Sequence, residues 1–267
     1  MFVVGIDIGS LATKAVLLNG EKEVTGYVVT LTGADSNKAG QTAIDRLIKD
    51  AGINPAQIAY MLSTGYGREN INLSNGQLTE ITCHARGAVH IDPAVRTVID
   101  IGGQDSKAIS LNDYGDVIKF AMNDKCAAGT GRFLEVMARA LEIDLQDMGE
   151  LSLKSKHRVE VSSMCTVFAE TEVISLISRS IDKIDIIAAI HRAIASRTGN
   201  MTENVGVKSS VMMTGGVAKN IGVVHALEER LDCKILVPKE PQIVGALGAA
   251  MFALDRATSA DVKNNTE

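Results

Sequence analysis

An internal repeat is the sequence feature that most constrains the fold. Residues 6–18 read IDIGSLATKAVLL and residues 99–111 read IDIGGQDSKAISL, so seven of thirteen positions are identical at a constant offset of 93. Each copy is an apolar segment with an aspartate, a glycine-containing turn and a second apolar segment, which predicts a β-hairpin. Hairpin packing alone requires neither the aspartate nor the matched lysine. The repeat therefore predicts two similar α/β halves rather than a solenoid of short repeats.

The elements between the two copies complete this picture. Apolar residues at helical spacing alternate with short apolar runs that end in glycine or polar turns, as in α/β proteins. We place the boundary between the halves near Asp92, with a first half of 1–92 completed by a C-terminal helix at 242–256, and a second half of 93–241. The polar residues 257–267 are expected to be frayed. Helices are predicted over 38–50, 131–141, 167–181, 184–195, 217–231 and 243–254, and strands over 58–62 and 211–214.

Composition excludes several classes of function. The net charge is −5, from 27 basic and 32 acidic residues, and provides no basic surface for nucleic acid. No apolar run is long enough for a transmembrane helix. The first residues, MFVVGIDIGS, read as a strand rather than a signal peptide. We therefore expect a cytoplasmic protein that binds neither membrane nor nucleic acid.

The two hairpin turns are suited to binding phosphate. Gly9–Lys14 offers backbone N–H groups and a lysine to an anion, although it is not a Walker A loop. The second turn adds Asp100 and Asp105, carboxylates of the kind that hold hydrated Mg²⁺ near phosphates. A third element, the strand that ends at Gly215-Gly216, accompanies them. Each motif is weak alone, but together they predict a nucleotide site.

Two cysteines stand just before predicted helices. Cys126 precedes one apolar-periodic helix and Cys165 precedes another, and helix N-termini favour thiolates and anionic sulfur centres. A cubane iron–sulfur cluster needs four thiolates, so two chains related by a twofold axis would complete the set. Two buried core cysteines, or a zinc site with the same four thiolates, are the alternatives. The neighbours Cys83 and His84 are interpreted as packing residues, and Cys233 as structural.

The three nucleotide elements, at 5–14, 99–105 and 214–220, resemble the phosphate 1, phosphate 2 and adenosine motifs of the actin/hexokinase/Hsp70 ATPase superfamily. That resemblance implies an α/β fold of two duplicated RNase H-like halves with ATP and Mg²⁺ between them. It assigns the catalytic positions, which organise Mg²⁺ and the attacking water, to Asp7, Asp100 and Gln104. The nucleotide-binding residues that it implies are Gly9, Ser10, Leu11, Ala12, Thr13, Lys14, Gly102, Gly103, Gln104, Gly215, Gly216, Lys219 and Gln242.

Longer motifs point to one branch of this superfamily. The segments NDKCAAGTGRFLE, SSMCTVFAE, STGYGR, TCHARG and VIDIGGQDSK resemble the activator component of 2-hydroxyacyl-CoA dehydratases, in the family that includes the ATPase subunits of benzoyl-CoA reductase. The resemblance runs from about Gly5 to Phe252. It implies an oxygen-sensitive homodimer with one [4Fe-4S] cluster, held by Cys126 and Cys165 of each subunit.

The function that this resemblance implies is ATP-dependent electron transfer. The protein would take one electron from reduced ferredoxin or flavodoxin and, with hydrolysis of ATP to ADP, pass it at low potential to a 2-hydroxyacyl-CoA dehydratase. A benzoyl-CoA reductase or a double-cubane protein is an alternative acceptor. A small-molecule kinase and a nucleotide-gated scaffold protein are rival functions on the same fold, and neither needs a sulfur cluster.

Overall fold

The computed structural model describes residues 1–161 and 165–264, without the side chains of Asn70 and of 260–264. Strands and helices alternate in the order that an α/β fold requires. The strands are β1 (Phe2–Ile8), β2 (Ala12–Asn19), β3 (Val24–Leu31), β4 (Ile58–Thr64), β5 (Gly76–Gln77), β6 (Thr97–Ile101), β7 (Ser106–Leu111), β8 (Val117–Asn123), β9 (Val211–Thr214) and β10 (Ile235–Leu236). The helices are α1 (Ser36–Ala51), α2 (Glu80–Ile91), α3 (Gly131–Leu141), α4 (Met148–Ser152), α5 (Thr166–Ser178), α6 (Lys183–Val205), α7 (Ile221–Leu231) and α8 (Val244–Asn264).

The strands form two sheets with the same internal order. The first runs β3-β2-β1-β4-β5 and the second, read from the opposite edge, runs β8-β7-β6-β9-β10. In each sheet the repeated hairpin is antiparallel, and its first strand pairs in parallel with the strand that follows a helical segment. The predicted duplication is thus visible as two copies of one strand arrangement.

The chain divides into two compact units. The first contains Met1–Ala94, Leu111–Val117 and the segment from Gln242 onward, and the second contains Val95–Ser110 and Ile118–Pro241. Within the described ranges, no helix combines the length and apolar character needed to cross a membrane.

The first unit has a core on each face of its sheet. Residues of β1 alternate between the faces, as the two-residue period of a strand requires. Val4, Ile6 and Ile8 pack with Ala43, Ile44 and Leu47 of α1. Val3 lies on the other face, in the cluster that contains Ala246, Ala249 and Ala250 of α8.

The second unit is built around a single large cluster. Ile99 and Ile101 of β6 pack with Phe133 and Met137 of α3 and with Ile190 of α6. Residues of α5, including Ala169 and Val173, belong to the same cluster. Helices α3 and α5 therefore pack on one core.

Several predicted boundaries differ from the structure. The helix predicted from 217 begins at Ile221, because Gly216–Lys219 forms a 3₁₀ turn and the Asn220 side chain accepts from the N–H groups of Gly222 and Val223. The helix predicted to end at 195 continues to Val205, and α5 ends at Ser178 rather than 181. The expectation of a frayed segment from 257 is wrong as far as Asn264, where α8 ends, and 265–267 lie outside the described residues.

Candidate functional site

Two aspartates occupy the same place in their two sheets. Asp7 of β1 stands directly across from Lys14 of β2, and the Lys14 Nζ lies 3.0 Å from the Asp7 Oδ2. Asp100 of β6 stands across from Lys107 of β7, and the corresponding distance is 3.1 Å. Both aspartates are buried. A buried carboxylate needs a partner, which explains why aspartate and lysine recur together in the repeat.

Each aspartate also has a glycine beside it, contributed by the neighbouring parallel strand. Gly65 follows β4 and Gly215 follows β9, with φ of 88° and 86°. A side chain at Gly65 would collide with the Asp7 Oδ1, and one at Gly215 would stand 2.8 Å from the Asp100 Oδ1. Only glycine suits this combination of left-handed backbone and close approach. The repeat therefore extends to the pairs Thr64-Gly65 and Thr214-Gly215, an equivalence that sequence reasoning missed.

The hairpin turns that follow the aspartates share one hydrogen-bond pattern. The Gly9 N–H donates to the Ala12 carbonyl at 3.0 Å, and the Gly102 N–H donates to the Asp105 carbonyl at 2.9 Å. Thr13 is buried, and its hydroxyl lies 3.0 Å from that of Thr32, which in turn donates to the Gly9 carbonyl at 2.7 Å. Predicted residues that remain partly or fully accessible in these turns are Gly9, Ser10, Leu11, Ala12, Lys14, Gly102, Gly103 and Gln104.

The third predicted nucleotide-binding element, the Gly215-Gly216 turn after β9, is hydrogen-bonded within the second unit. The Gly215 N–H donates to the Pro241 carbonyl at 2.9 Å. Lys219 pairs with Glu240, with 2.9 Å between Nζ and Oε1. These contacts fasten the Gly215-Gly216 turn to the segment that ends just before Gln242, and Gln242 itself belongs to the first unit.

The buried residue His191 contacts Asn220, the N-cap residue of α7. The Asn220 Nδ2 lies 3.3 Å from the Nε2 of His191, which is 1% exposed. Burial, with a smaller contribution from Arg192, lowers the pKa of His191 to about 3. His191 is therefore a neutral ring that orients the Asn220 amide while the Asn220 Oδ1 caps the helix.

The turn of the second hairpin, between β6 and β7, is hydrogen-bonded to the helix that follows Cys126. The N–H groups of Gly131 and Arg132 donate to the carbonyls of Gly102 and Gly103 at 2.9 and 2.8 Å. These are first-turn N–H groups of α3, which have no acceptor within the helix. The turn of the hairpin and the N-terminus of α3 are thus joined directly.

Cys126 lies in the loop between β8 and α3, residues 124–130, and hydrogen bonds hold this loop at both ends. The Asn123 side chain donates to the Cys126 carbonyl at 2.8 Å and accepts from the Cys126 N–H at 3.3 Å. At the other end, the N–H and the hydroxyl of Thr130 both donate to the Ala127 carbonyl. Cys126 lies in this loop rather than at the helix cap, because Thr130 is the N-cap of α3. The Cys126 side chain is half-buried against the core.

Cys165 is the N-cap residue of α5, and its carbonyl accepts from the Ala169 N–H at 2.9 Å. Its side chain is half-buried. The preceding residues of the SSMC motif, 162–164, lie outside the described residues. Next to Cys165, the Thr166 hydroxyl is buried and has no hydrogen-bond partner in the described part of the chain.

The other two cysteines are unsuited to thiolate chemistry. Cys83 is fully buried, and burial raises the pKa of its thiol to about 12. Burial and the neighbouring carboxylates of Glu228 and Asp232 raise the pKa of Cys233. His84, which sequence reasoning treated as packing, is 5% exposed and lies close to Asp7. His84 is the third residue of the TCHARG motif, and nothing in that motif indicates its proximity to Asp7.

Comparison with known proteins gives the class to which this chain belongs. It is a member of the BadF/BadG/BcrA/BcrD ATPase family, whose model matches residues 4–253. The predicted ATPase is confirmed by this membership. The fold is that of actin- and hexokinase-like ATPases, since a ROK family glucokinase from Streptomyces griseus matches 96% of this chain and 100% of its own with a TM-score of 0.60 at 14% identity. The predicted fold of duplicated RNase H-like halves is confirmed.

More similar relatives are dehydratase activators, which confirms the resemblance found in the motifs. The 2-hydroxyisocaproyl-CoA dehydratase activator of Clostridioides difficile is 44% identical over 99% of this chain and 100% of its own length. The (R)-2-hydroxyglutaryl-CoA dehydratase activating ATPase of Acidaminococcus fermentans is 47% identical over 96% and 98%. A solved structure of the activator from C. difficile with bound ADPNP has a TM-score of 0.94 at 42% identity and covers 98% of both chains.

The neutral, buried His191 predicts a specific sensitivity to acid. Its pKa is about 3 when folded and about 6.5 when unfolded, so its contribution to stability is complete above pH 6.5 and is lost as the pH falls toward 3. Between pH 7 and pH 5 this linkage removes about 2 kcal/mol of unfolding free energy. Urea unfolding of the wild type and of His191→Gln at both pH values measures it.

In His191→Gln the side chain does not titrate, so the pH-dependent loss should be smaller by about 2 kcal/mol than in the wild type. The matched control is His225→Gln, because His225 is exposed and pairs with Glu229 only at 3.7 Å. His225→Gln should lose as much unfolding free energy between pH 7 and pH 5 as the wild type does. If the wild type and His191→Gln lose the same unfolding free energy between the two pH values, the assignment of His191 as a neutral buried ring is wrong.

Proposed function

We propose that this protein hydrolyses ATP in order to transfer single electrons to a 2-hydroxyacyl-CoA dehydratase, through a [4Fe-4S] cluster shared by two copies of the chain. The observation that carries the proposal is the pair of hydrogen bonds from the first turn of α3 to Gly102 and Gly103. They join the turn that binds phosphate in this proposal to the helix that follows Cys126, within one unit. The partner class follows from relatives that are 44–47% identical and are named dehydratase activators.

In this proposal the chain has two halves, residues 1–92 with 242–256 and residues 93–241, and each contributes residues that bind the nucleotide. Asp7, Asp100 and Gln104 organise Mg²⁺ and the attacking water, since phosphoryl transfer depends on positioning and charge stabilisation. Lys14 is paired with Asp7 at 3.0 Å and is near enough to the turn to meet a phosphate. The residues that bind the nucleotide are those of the two turns, 9–14 and 102–104, together with Gly215, Gly216, Lys219 and Gln242.

The cluster ligands in this proposal are Cys126 and Cys165. The raised pKa values of Cys83 and Cys233 disfavour their thiolates, and a thiolate is the form that binds metal. The remaining two thiols are half-buried and precede helices that share one core. A cubane needs four thiolates, so a second copy must provide the other pair.

The surroundings of Cys165 fit an anionic sulfur centre. Cys165 is at the N-terminus of α5, where the backbone N–H groups of the first turn have no acceptor within the helix. The orphaned Thr166 hydroxyl adds another donor beside it. When bound, a [4Fe-4S] cluster would accept and release one electron at a potential set by such hydrogen bonds and by its exposure.

An apolar surface next to Cys165 supports the homodimer. Val167 and Phe168, in the first turn of α5, are 66% and 70% exposed, and Ile174 is 55% exposed. Large apolar side chains grouped in this way mark an interaction surface. A second copy placed across Cys165 would cover the two residues of the first turn while it completes the ligand set.

The electron donor, reduced ferredoxin or flavodoxin in this proposal, would meet the basic loop that precedes Cys165. Lys154, Lys156 and Arg158 are exposed on this loop. The loop is fixed to α6 because the Asp185 Oδ1 accepts from the N–H groups of Lys156 and His157 at 2.9 and 3.1 Å. A fixed basic surface steers an acidic partner toward this loop.

The first prediction of this proposal concerns the cluster. In anaerobically purified protein, iron and sulfide should each approach about four per dimer, as a single cubane requires. Cys126→Ala and Cys165→Ala should each lose both, because each variant removes two of the four ligands from the dimer. Iron, sulfide and visible absorption are the measurements.

Cys233→Ala is the matched control, since it removes a thiol on the same core without removing a ligand. It should retain iron and sulfide in full. A full cluster in either Cys126→Ala or Cys165→Ala would refute the ligand assignment. Stoichiometric zinc in place of iron would refute the electron-transfer function and favour a structural metal.

The second prediction concerns the link between Gly102 and α3. If the phosphate turn moves α3 and the Cys126 loop with it, the rate of iron chelation should differ between protein without nucleotide, with ADP and with a non-hydrolysable ATP analogue, and be fastest with the analogue. Gly131→Ala places a Cβ 3.1 Å from the Gly102 carbonyl and should weaken this link. We expect it to reduce the difference between nucleotide states.

Gly20→Ala provides the comparison, because a Cβ at Gly20 meets nothing within 4 Å. It should show the same nucleotide dependence as the wild type. Identical chelation rates in all three states of the wild type would mean that ATP does not act on the Cys126 loop, and a wild-type response in Gly131→Ala would exclude this route.

A further inference from the structure

The two copies of the repeated site differ in how their aspartates are held. In the second unit, the Thr214 hydroxyl donates to the Asp100 Oδ1 at 2.9 Å while Lys107 contacts the Oδ2. In the first unit, the equivalent threonine is Thr64, and within the described part of the chain its hydroxyl does not donate to Asp7. Asp7 is nevertheless as deeply buried as Asp100, at 4% and 3% exposure. The duplication therefore leaves Asp7 without the hydroxyl donor that Asp100 has.

His84 occupies the space beside Asp7. Its Nε2 lies 2.9 Å, and the Asp7 Oδ2 lies 3.2 Å, from the point where a Cβ on Gly245 would stand. The two side chains are therefore neighbours across one glycine of α8. His84 comes from α2 and is buried within the first unit.

Asp7 needs a second hydrogen-bond donor if Lys14 moves away from it. The Lys14 Nζ is 3.0 Å from the Asp7 Oδ2, and Lys14 is 15% exposed by its side chain, on the turn that receives phosphate. A lysine that turns toward a phosphate weakens its contact with the carboxylate. A buried carboxylate that loses its partner is strongly destabilised unless another donor is at hand.

We propose that His84 is a positioning residue for Asp7: its imidazole holds the carboxylate in place when Lys14 engages the phosphates of ATP. The inference rests on the proposed nucleotide site and adds to it a residue from outside the three nucleotide motifs. His84 acts through Asp7, and it performs in the first unit the task that Thr214 performs in the second.

The test compares three side chains at position 84 in the anaerobically purified holoprotein. His84→Leu keeps the apolar volume and removes the polar ring, whereas His84→Gln returns an amide nitrogen near the place of Nε2. We measure kcat and KM for ATP hydrolysis and the dissociation constant of ADP. The wild type and Asp7→Asn are assayed in parallel.

We expect His84→Leu to lower kcat by about 10- to 100-fold, the scale on which a misplaced catalytic group reduces turnover. KM and ADP binding should change by less than about threefold, because the residue does not touch nucleotide. His84→Gln should recover most of the lost kcat. If His84 had only a structural role, kcat would fall to the same extent in both variants, and KM would change together with kcat.

Wild-type kcat in His84→Leu would overturn the inference, and so would equal losses in the leucine and glutamine variants. If His84→Leu does not fold, His84→Asn replaces it, because its shorter amide does not reach Asp7. The inference then requires that the kcat of His84→Asn be at least about tenfold below that of His84→Gln. Full activity of Asp7→Asn would instead refute the nucleotide site itself, so the two failures are distinguishable.

Discussion

The arrangement of each half depends on a carboxylate that is buried next to a lysine. Asp7 and Asp100 are among the most buried charged residues of the chain, and each has its lysine directly across the hairpin. Removing one partner of such a pair leaves a buried charge uncompensated, which typically costs about 3–5 kcal/mol. The pair therefore fixes the register of the hairpin, and the register fixes where the glycine-containing turn presents its N–H groups.

The same constraint extends from the second hairpin to the cysteines. Because Lys107 bridges Asp100 and Asp105, the turn between them has a defined shape, and its glycine carbonyls receive the first N–H groups of α3. A change in the turn on nucleotide binding must be absorbed by these hydrogen bonds or passed to the helix. Since Thr130 and Asn123 hold the Cys126 loop from both sides, the loop has little freedom to absorb it. This is a physical route by which a phosphate could alter a cysteine in the same unit.

Much of this architecture could be predicted from the sequence, because the repeat preserves the residues that the buried pair requires. The helix over Gly131–Leu141 was predicted with its observed bounds, since its apolar spacing is regular. The start of α7 was not, because the Asn220 cap follows a 3₁₀ turn that glycine content alone does not distinguish from a helix. The equivalence of Gly65 and Gly215 was missed because only the Thr-Gly dipeptide is shared in sequence, and its match is seen in the left-handed backbone that both glycines adopt. The proximity of His84 to Asp7 was missed because it depends on the packing of α8, which lies far along the chain, against both residues.

The proposed function requires both Asp7 and Asp100 for ATP hydrolysis, and a double-mutant cycle tests this requirement most directly. We would measure kcat for Asp7→Asn, Asp100→Asn and the double variant, with the exposed Asp45→Asn as control. If both act as one unit, each single variant loses orders of magnitude in kcat and the double variant is about as slow as the slower single one, since effects of residues acting together are non-additive. Wild-type turnover in either single variant, or losses that simply multiply in the double variant, would contradict the account.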